Sequence, residues 1–146
     1  MYVLSVRDVI NNKEKKDKLI MYLKKHGFDN IEEDILKNMV FLYYEDVFGT
    51  ISFEIFGKIA LLRYFIYSDN ISFSNVKKMF KNLCNNITYN KCEKIMCICD
   101  DSIKDVFIEL GFNHLEEDLV FIDELSLSKS NNYKNKKAYI FSLNSV

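Results

Sequence analysis

Val47-Phe48-Gly49-Thr50-Ile51-Ser52-Phe53-Glu54-Ile55-Phe56-Gly57-Lys58-Ile59-Ala60-Leu61-Leu62-Arg63-Tyr64-Phe65-Ile66-Tyr67 is the stretch that decides the fold. Gly57-Lys58 divides it into two runs, Gly49 to Phe56 and Ile59 to Tyr67, both rich in β-branched and aromatic residues. Such side chains suit a pleated, half-buried surface, so each run is expected to be a strand. Met39 to Tyr44 just upstream has the same chemistry, and Glu45-Asp46 begins a turn after it. Three runs joined by short polar turns predict an antiparallel meander.

Working outward, the period changes. Val76, Met79, Phe80 and Leu83 recur at i, i+3, i+4 and i+7, with Lys77, Lys78 and Lys81 between them, which predicts an amphipathic helix. Glu93 to Cys99 then reads as a strand. Ile103, Val106, Phe107 and Leu110 repeat the helical spacing, and Gly111 ends that helix. A helix between two strands demands a crossover, so the strands flanking Val76–Leu83 should run parallel. Upstream, Met1 to Val6 predicts an opening strand. Asn11 and Asn12 offer a cap for a helix over Lys13–His26, whose inner face is Leu19, Tyr22 and Leu23, and Gly27 is its stop. Phe28 to Lys37 is polar, with Glu32, Glu33 and Asp34 clustered. Downstream, Leu119–Ile122 and Ala138–Leu143 read as closing strands around a polar loop at Ser126–Lys137. The expected organisation is one α/β domain, residues 1–146.

At 146 residues the chain can bury a sizeable core, and 49% hydrophobic composition supplies it. Net charge is -1 from 20 basic and 21 acidic residues, so no overall field draws it to nucleic acid or to an anionic membrane. No run approaches the ~20 apolar residues that span a bilayer. Neither nucleic acid nor membrane is therefore an expected partner. Arg7 and Arg63 are the two arginines, and Arg63 lies inside an apolar run, where a guanidinium needs a partner. Cys84, Cys92, Cys97 and Cys99 lack the paired spacing of zinc hooks, and only His26 and His114 could assist, so no metal is expected. Cys97 and Cys99, two apart in a strand, share a face and read as buried thiols. The opening residues form too short an apolar run for a secretory signal, which makes a cytoplasmic location the expectation.

Two blocks carry a family resemblance. Val47 to Arg63 resembles the "G-x-x-x-x-E-x-x-G-x-x-A-L-L-R" run of the amino-acid-acetylating branch of the GNAT (Gcn5-related) N-acetyltransferases, which includes N-acetylglutamate synthases and arsinothricin acetyltransferase-like proteins. Gly27-Phe28-Asp29-Asn30-Ile31-Glu32-Glu33 is similar to the start of that branch's substrate-side segment. Val106-Phe107-Ile108-Glu109-Leu110-Gly111-Phe112 resembles the family's "F-Y-x-x-L-G-F" helix ending. The resemblance implies a mixed, mostly antiparallel sheet of six to seven strands, flanked by helices on both faces. It also implies acetyl-CoA as co-substrate. By position, Phe65, Ile66 and Tyr67 would lie along the pantetheine, and the segment Ile71 to Lys77, with Ser72, Ser74, Asn75, Val76 and Lys77, would cradle the phosphates at a helix start.

The chain departs from the family pattern at four places, the first being Ile71, where the family's phosphate loop has Arg or Gln. Ser74 and Val76 occupy the two glycine positions of the phosphate loop, and Phe107 stands where the family commonly has a proton-donating Tyr. Glu54 is the residue the resemblance points to as general base, and Arg63 the one to hold a substrate carboxylate. Plainer readings stand beside these. Glu54 and Arg63 also fit an intra-sheet ion pair with no catalytic duty, and Ser72 and Ser74 fit helix capping. The expected activity is acetyl transfer from acetyl-CoA to a small primary amine, with an amino acid among the candidates. The alternative is an inactive GNAT-like domain that senses a ligand or binds a partner. Monomer and homodimer are both open.

Overall fold

In a computed structural model, residues 1–99, 101–114 and 137–143 are described. The elements run β1 (Tyr2–Ser5), α1 (Lys13–Lys25), α2 (Glu33–Leu36), β2 (Val40–Tyr44), β3 (Asp46–Phe56), β4 (Ile59–Tyr67), α3 (Phe73–Tyr89), β5 (Lys94–Cys99), α4 (Lys104–Leu110), β6 (Asn113–His114) and β7 (Lys137–Ser142). The seven strands are ordered β1-β2-β3-β4-β5-β7-β6. β1–β2, β2–β3, β5–β7 and β6–β7 pair antiparallel, whereas β4 and β5 are parallel, with Ile59, Ala60 and Leu61 opposite Lys94, Ile95 and Met96. The crossover through α3 is the one its spacing predicts.

The chain divides into two compact units. The first contains Met1–Glu54 and Arg63–Ile87, and the second Ile55–Leu62 and the described residues from Thr88 onward. In the first, Leu19, Tyr22 and Leu23 of α1 and Ile35 and Leu36 of α2 pack with Met39, Phe41, Val47 and Tyr64. Asn12 caps α1, its side chain accepting from the Lys15 amide. At the other end Gly27 takes φ +94°. The Phe28 amide returns to the Leu23 carbonyl and the Gly27 amide to Lys24, a Schellman ending that satisfies the last carbonyls. Val76, Met79, Phe80, Leu83 and Ile87 form the buried stripe of α3, as the periodicity requires.

The second unit repeats this terminal chemistry. Gly111, at φ +105°, ends α4, with the Phe112 amide on the Phe107 carbonyl and the Gly111 amide on Ile108. The apolar contact that accompanies such an ending is present: the Phe107 and Phe112 rings meet edge-on at 5.4 Å. Leu61, Met96 and Ala138 form the small core of this unit, with Phe56, Ile59, Ile98 and Ile140 packed on it.

The strands depart from the sequence reading chiefly in two places. β3 starts at Asp46 rather than Gly49, because one residue, Glu45 at φ +61°, completes the turn. The register shift between Leu42 and Tyr43 leaves Phe48 as an extra residue on β3. β6 at Asn113–His114 is an addition; it is too short for a periodicity to announce it. The expected strand at Leu119–Ile122 lies outside the described residues, as does nearly all of the expected loop at Ser126–Lys137. β7 agrees with the expected Ala138–Leu143 within one residue at each end.

All four cysteines are thiols, with Cys92, Cys97 and Cys99 buried. Burial pushes the Cys97 thiol far up, with its hydrogen bond to Cys99 adding to the rise, so it is no nucleophile at neutral pH. Burial also pushes the Cys84 thiol up to about 12. In the unfolded chain a thiol titrates at about 8.5. Between those values the unfolded state sheds its proton while the folded state keeps it, so stability falls as pH rises through that window. Urea midpoints measured from pH 8 to 11 should decline, and Cys84→Ala should flatten the decline.

The two helix-ending glycines should also differ. A Cβ on Gly111 would sit 3.1 Å from Phe141 Cε2, whereas one on Gly27 meets nothing within 4 Å. Both substitutions carry the left-handed penalty of about 1–2 kcal/mol. Urea denaturation should show Gly111→Ala costing more than Gly27→Ala.

Candidate functional site

The functional residues expected from the sequence fall largely in the first unit, on β3, β4 and the start of α3. β3 alternates Thr50, Ser52 and Glu54 on one face with Ile51, Phe53 and Ile55 on the other. Thr50 and Ser52 are wholly buried. Ser52 Oγ donates to the Ile35 carbonyl at 2.5 Å, which fixes α2 on this face. Thr50 Oγ1 donates to the Tyr64 carbonyl at 2.6 Å.

Tyr64 has φ +52° in the middle of β4, a conformation that bulky residues rarely adopt. Such a residue persists when its surroundings over-determine it. Four contacts do so here. Besides the bond from Thr50, the Tyr64 hydroxyl accepts from the Glu32 amide at 3.2 Å. Its ring meets Phe28 edge-on at 4.9 Å, and the Arg63 guanidinium lies 5.5 Å from its centroid.

The structure brings Glu54 and Arg63 together. Arg63 Nη1 donates to Glu54 Oε1 at 2.6 Å, and Nη2 reaches Glu32 Oε2 at 3.3 Å. The arms are unequal: the Arg63 and Glu54 side chains are 27% and 35% exposed, whereas that of Glu32 is 59% exposed. The longer, wetter arm belongs to the class of pairs worth little, roughly 0–1 kcal/mol. Gly27, Phe28, Asp29, Asn30, Arg63 and Tyr64 line a cleft of about 350 Å³ at this point.

Beyond Tyr64, Ile66 packs on the core while Phe65 and Tyr67, half-buried, share the other face with ring centroids 5.7 Å apart. The turn after β4 then enters α3. Ser72 is the cap of that helix: its Oγ accepts from the Asn75 side chain at 3.2 Å and from the Asn75 amide at 3.4 Å. Helix geometry leaves the amides of Phe73 and Ser74 without intrahelical carbonyls. Ser74, Lys77 and Lys78 are exposed around that end. Val76 is buried on the core stripe with Met79, so its β-branched side chain points away from the exposed first turn. The residues at this helix start therefore suit an anion, although neither family glycine is present.

A larger cavity of about 680 Å³ lies beside the end of β4, lined by residues of α1, the start of β3 and Tyr67, Ser68 and Asp69. The sequence reading missed it. Among the bonds in its wall, that between the Tyr22 hydroxyl and Ser68 Oγ at 3.2 Å joins residues 46 apart in sequence. Burial raises the Tyr22 phenol, and the Ser68 bond offsets part of that rise. In the second unit, Phe107 is buried against Phe112. No helix among the described residues is long and apolar enough to cross a membrane, and no group of three or more potential metal ligands is found among them.

No family sequence model matches the chain, and no curated protein matches it. Solved structures do. An aminoglycoside 6'-acetyltransferase type Ii matches with TM-score 0.69 and 11% identity, covering 98% of this chain and 97% of its own. An acetyltransferase of the GNAT family from Staphylococcus aureus matches with TM-score 0.61 and 13% identity, over 97% and 98%. N-acetylglutamate synthase from Neisseria gonorrhoeae, complexed with coenzyme A and N-acetyl-glutamate, matches with TM-score 0.69 and 12% identity. That match covers 90% of this chain but 33% of the synthase, so the chain spans about a third of that enzyme's length. With its seven described strands, mostly antiparallel, its parallel β4–β5 pair and its helices, the chain has the fold of the GNAT acetyltransferases.

Proposed function

We propose that this protein is an acetyl-CoA-dependent N-acetyltransferase acting on a small primary amine. The observation that carries the reading is the fold it shares with acetyltransferases over nearly its whole length. Fold alone does not make an activity, so the chain's own residues must supply the chemistry. The start of α3 supports the phosphate role: the amides of Phe73 and Ser74 and the ammonium groups of Lys77 and Lys78 suit a pyrophosphate, with Ser72 and Asn75 shaping the turn. Phe65 and Tyr67 give an apolar wall and Ile66 an inward anchor for the pantetheine-bearing stretch of β4.

At the acceptor end, Glu54 takes the proton that an ammonium must lose before its lone pair can attack. The nitrogen bonds to the thioester carbon and sheds its second proton to solvent, the C–S bond breaks, and the electron pair leaves on sulfur. Backbone N–H groups of β4 polarise the carbonyl. Phe107 has no proton to give that thiolate, so release relies on solvent, which slows transfer without forbidding it. An amino acid fits as acceptor if its carboxylate displaces Glu32 from Arg63, the weaker arm, and leaves the Glu54 bond intact. The chain would act without nucleic acid or membrane, from the cytoplasm.

Phe107 favours a second reading, a domain that keeps the fold and binds a ligand without transferring it. Acetyl-CoA separates the two. Calorimetry and thermal shift at up to about 1 mM acetyl-CoA should show binding, with a rising melting temperature that reports occupancy. Lys77→Glu with Lys78→Glu should weaken it. No binding at that concentration overturns the enzyme reading, and binding without product from any primary amine supports the second. In the active case, Glu54→Gln should lower kcat/KM by about 100-fold while leaving acetyl-CoA affinity within a factor of about two.

A further inference from the structure

We infer that Tyr64 is a positioning residue, tying the segment Gly27–Glu32 to β4 and thereby setting the width of the acceptor cleft. The inference rests on the acetyltransferase reading for its function, but its geometry is independent of it. A mid-strand aromatic residue at φ +52° carries backbone strain. Strain of this kind persists where the surrounding structure over-determines it.

What Tyr64 does there is legible in its contacts. The carbonyl is held from below by the buried Thr50 hydroxyl on the neighbouring strand at 2.6 Å. With that end fixed, the side chain extends to the far wall of the cleft. Its hydroxyl accepts the Glu32 amide at 3.2 Å and its ring receives the edge of Phe28 at 4.9 Å. Phe28 and Tyr64 both line the 350 Å³ cleft, so this side chain joins its two walls. Arg63 makes the parallel connection through Glu32 Oε2, but that carboxylate is largely exposed and its hold correspondingly weak. Tyr64 is therefore the main strut. Thr50 holds the strut's foot, and Glu32 receives both struts.

A strut of this kind acts on acceptor binding rather than on acetyl-CoA binding. Tyr64→Phe removes the hydroxyl and keeps the ring, the carbonyl bond and the core packing. The expected result is a KM for the amine raised about fivefold, the weight of one hydrogen bond, with KM for acetyl-CoA unchanged. Amide hydrogen exchange, followed by mass spectrometry on the full chain, should quicken by a similar factor in residues 27–34 and nowhere else. Thr50→Val should quicken the same segment, and Thr50→Ser, which keeps the hydroxyl, should restore it. Faster exchange confined to residues 27–34 establishes the strut even if the wild type acetylates nothing, in which case the acetyltransferase reading alone falls. Exchange in 27–34 unchanged in Tyr64→Phe overturns the inference, and so does a shift in acetyl-CoA KM equal to that in amine KM. Should Thr50→Val fail to fold, the Tyr64→Phe arm still decides.

Discussion

Two hydroxyls on one face of β3 hold the first unit in place. Thr50 and Ser52 are wholly buried, and each gives its proton to a backbone carbonyl: Tyr64 on β4 and Ile35 in α2. Among the described residues no buried side-chain polar atom lacks a partner. Leaving such a buried hydroxyl without a partner costs about 1–3 kcal/mol, more than the bond itself contributes net. These two bonds therefore act mainly as constraints. One permits a left-handed residue inside a strand, and the other docks a helix of four residues, too short to persist alone. Glu54 continues the same row and reaches Arg63, so the candidate chemistry stands on the face that those hydroxyls organise.

Helix endings impose a second constraint. α1 and α4 both stop at a left-handed glycine followed by phenylalanine, and in both the phenylalanine amide reaches back to the turn before. In α4 the residue receiving that bond is Phe107, whose ring then packs on Phe112. Leu110-Gly111-Phe112 is thus a mechanical signature: glycine turns the chain and the aromatic closes over it. The same packing explains why Phe107 serves as an anchor. A phenol at this buried place would need a partner for its hydroxyl.

Much of the architecture could be read from period alone, because burial imposes it. The i, i+3, i+4, i+7 spacing located α3 and α4, and the three β-rich runs located β2 to β4 with only their ends displaced. Short features escaped for the same reason: β6 has two residues, which is no period at all. Of the candidate site, the pairing of Glu54 with Arg63 was legible and its geometry was not. Glu54 and Arg63 could be singled out, but alternation cannot tell a polar row facing water from one satisfied by carbonyls. Thr50 and Ser52, read as strand residues, gave no sign of being wholly buried. The left-handed Tyr64 left no trace either, since nothing in its neighbours demands it. Glycine would have announced such a position; a tyrosine conceals it. The cavity beside Tyr22 and Ser68 depends on residues 46 apart, beyond the reach of any local pattern.

Under the proposed reading, the start of α3 can serve an anion without the glycines of the resembled pattern. Glycine at such a place removes a Cβ that would otherwise stand between backbone and ligand. Val76 does not stand there, because the helical period turns it onto the buried stripe with Met79 and Phe80. Ser74, two residues earlier, is exposed at the mouth itself. Ser72 is the nearer competitor, since its oxygen already accepts from Asn75. A hydroxyl both accepts and donates, however. While accepting from Asn75 it retains its own proton, which can be directed at a phosphate oxygen. Capping and anion binding are then compatible uses of one group, and the sequence change exchanges close backbone approach for an added side-chain donor.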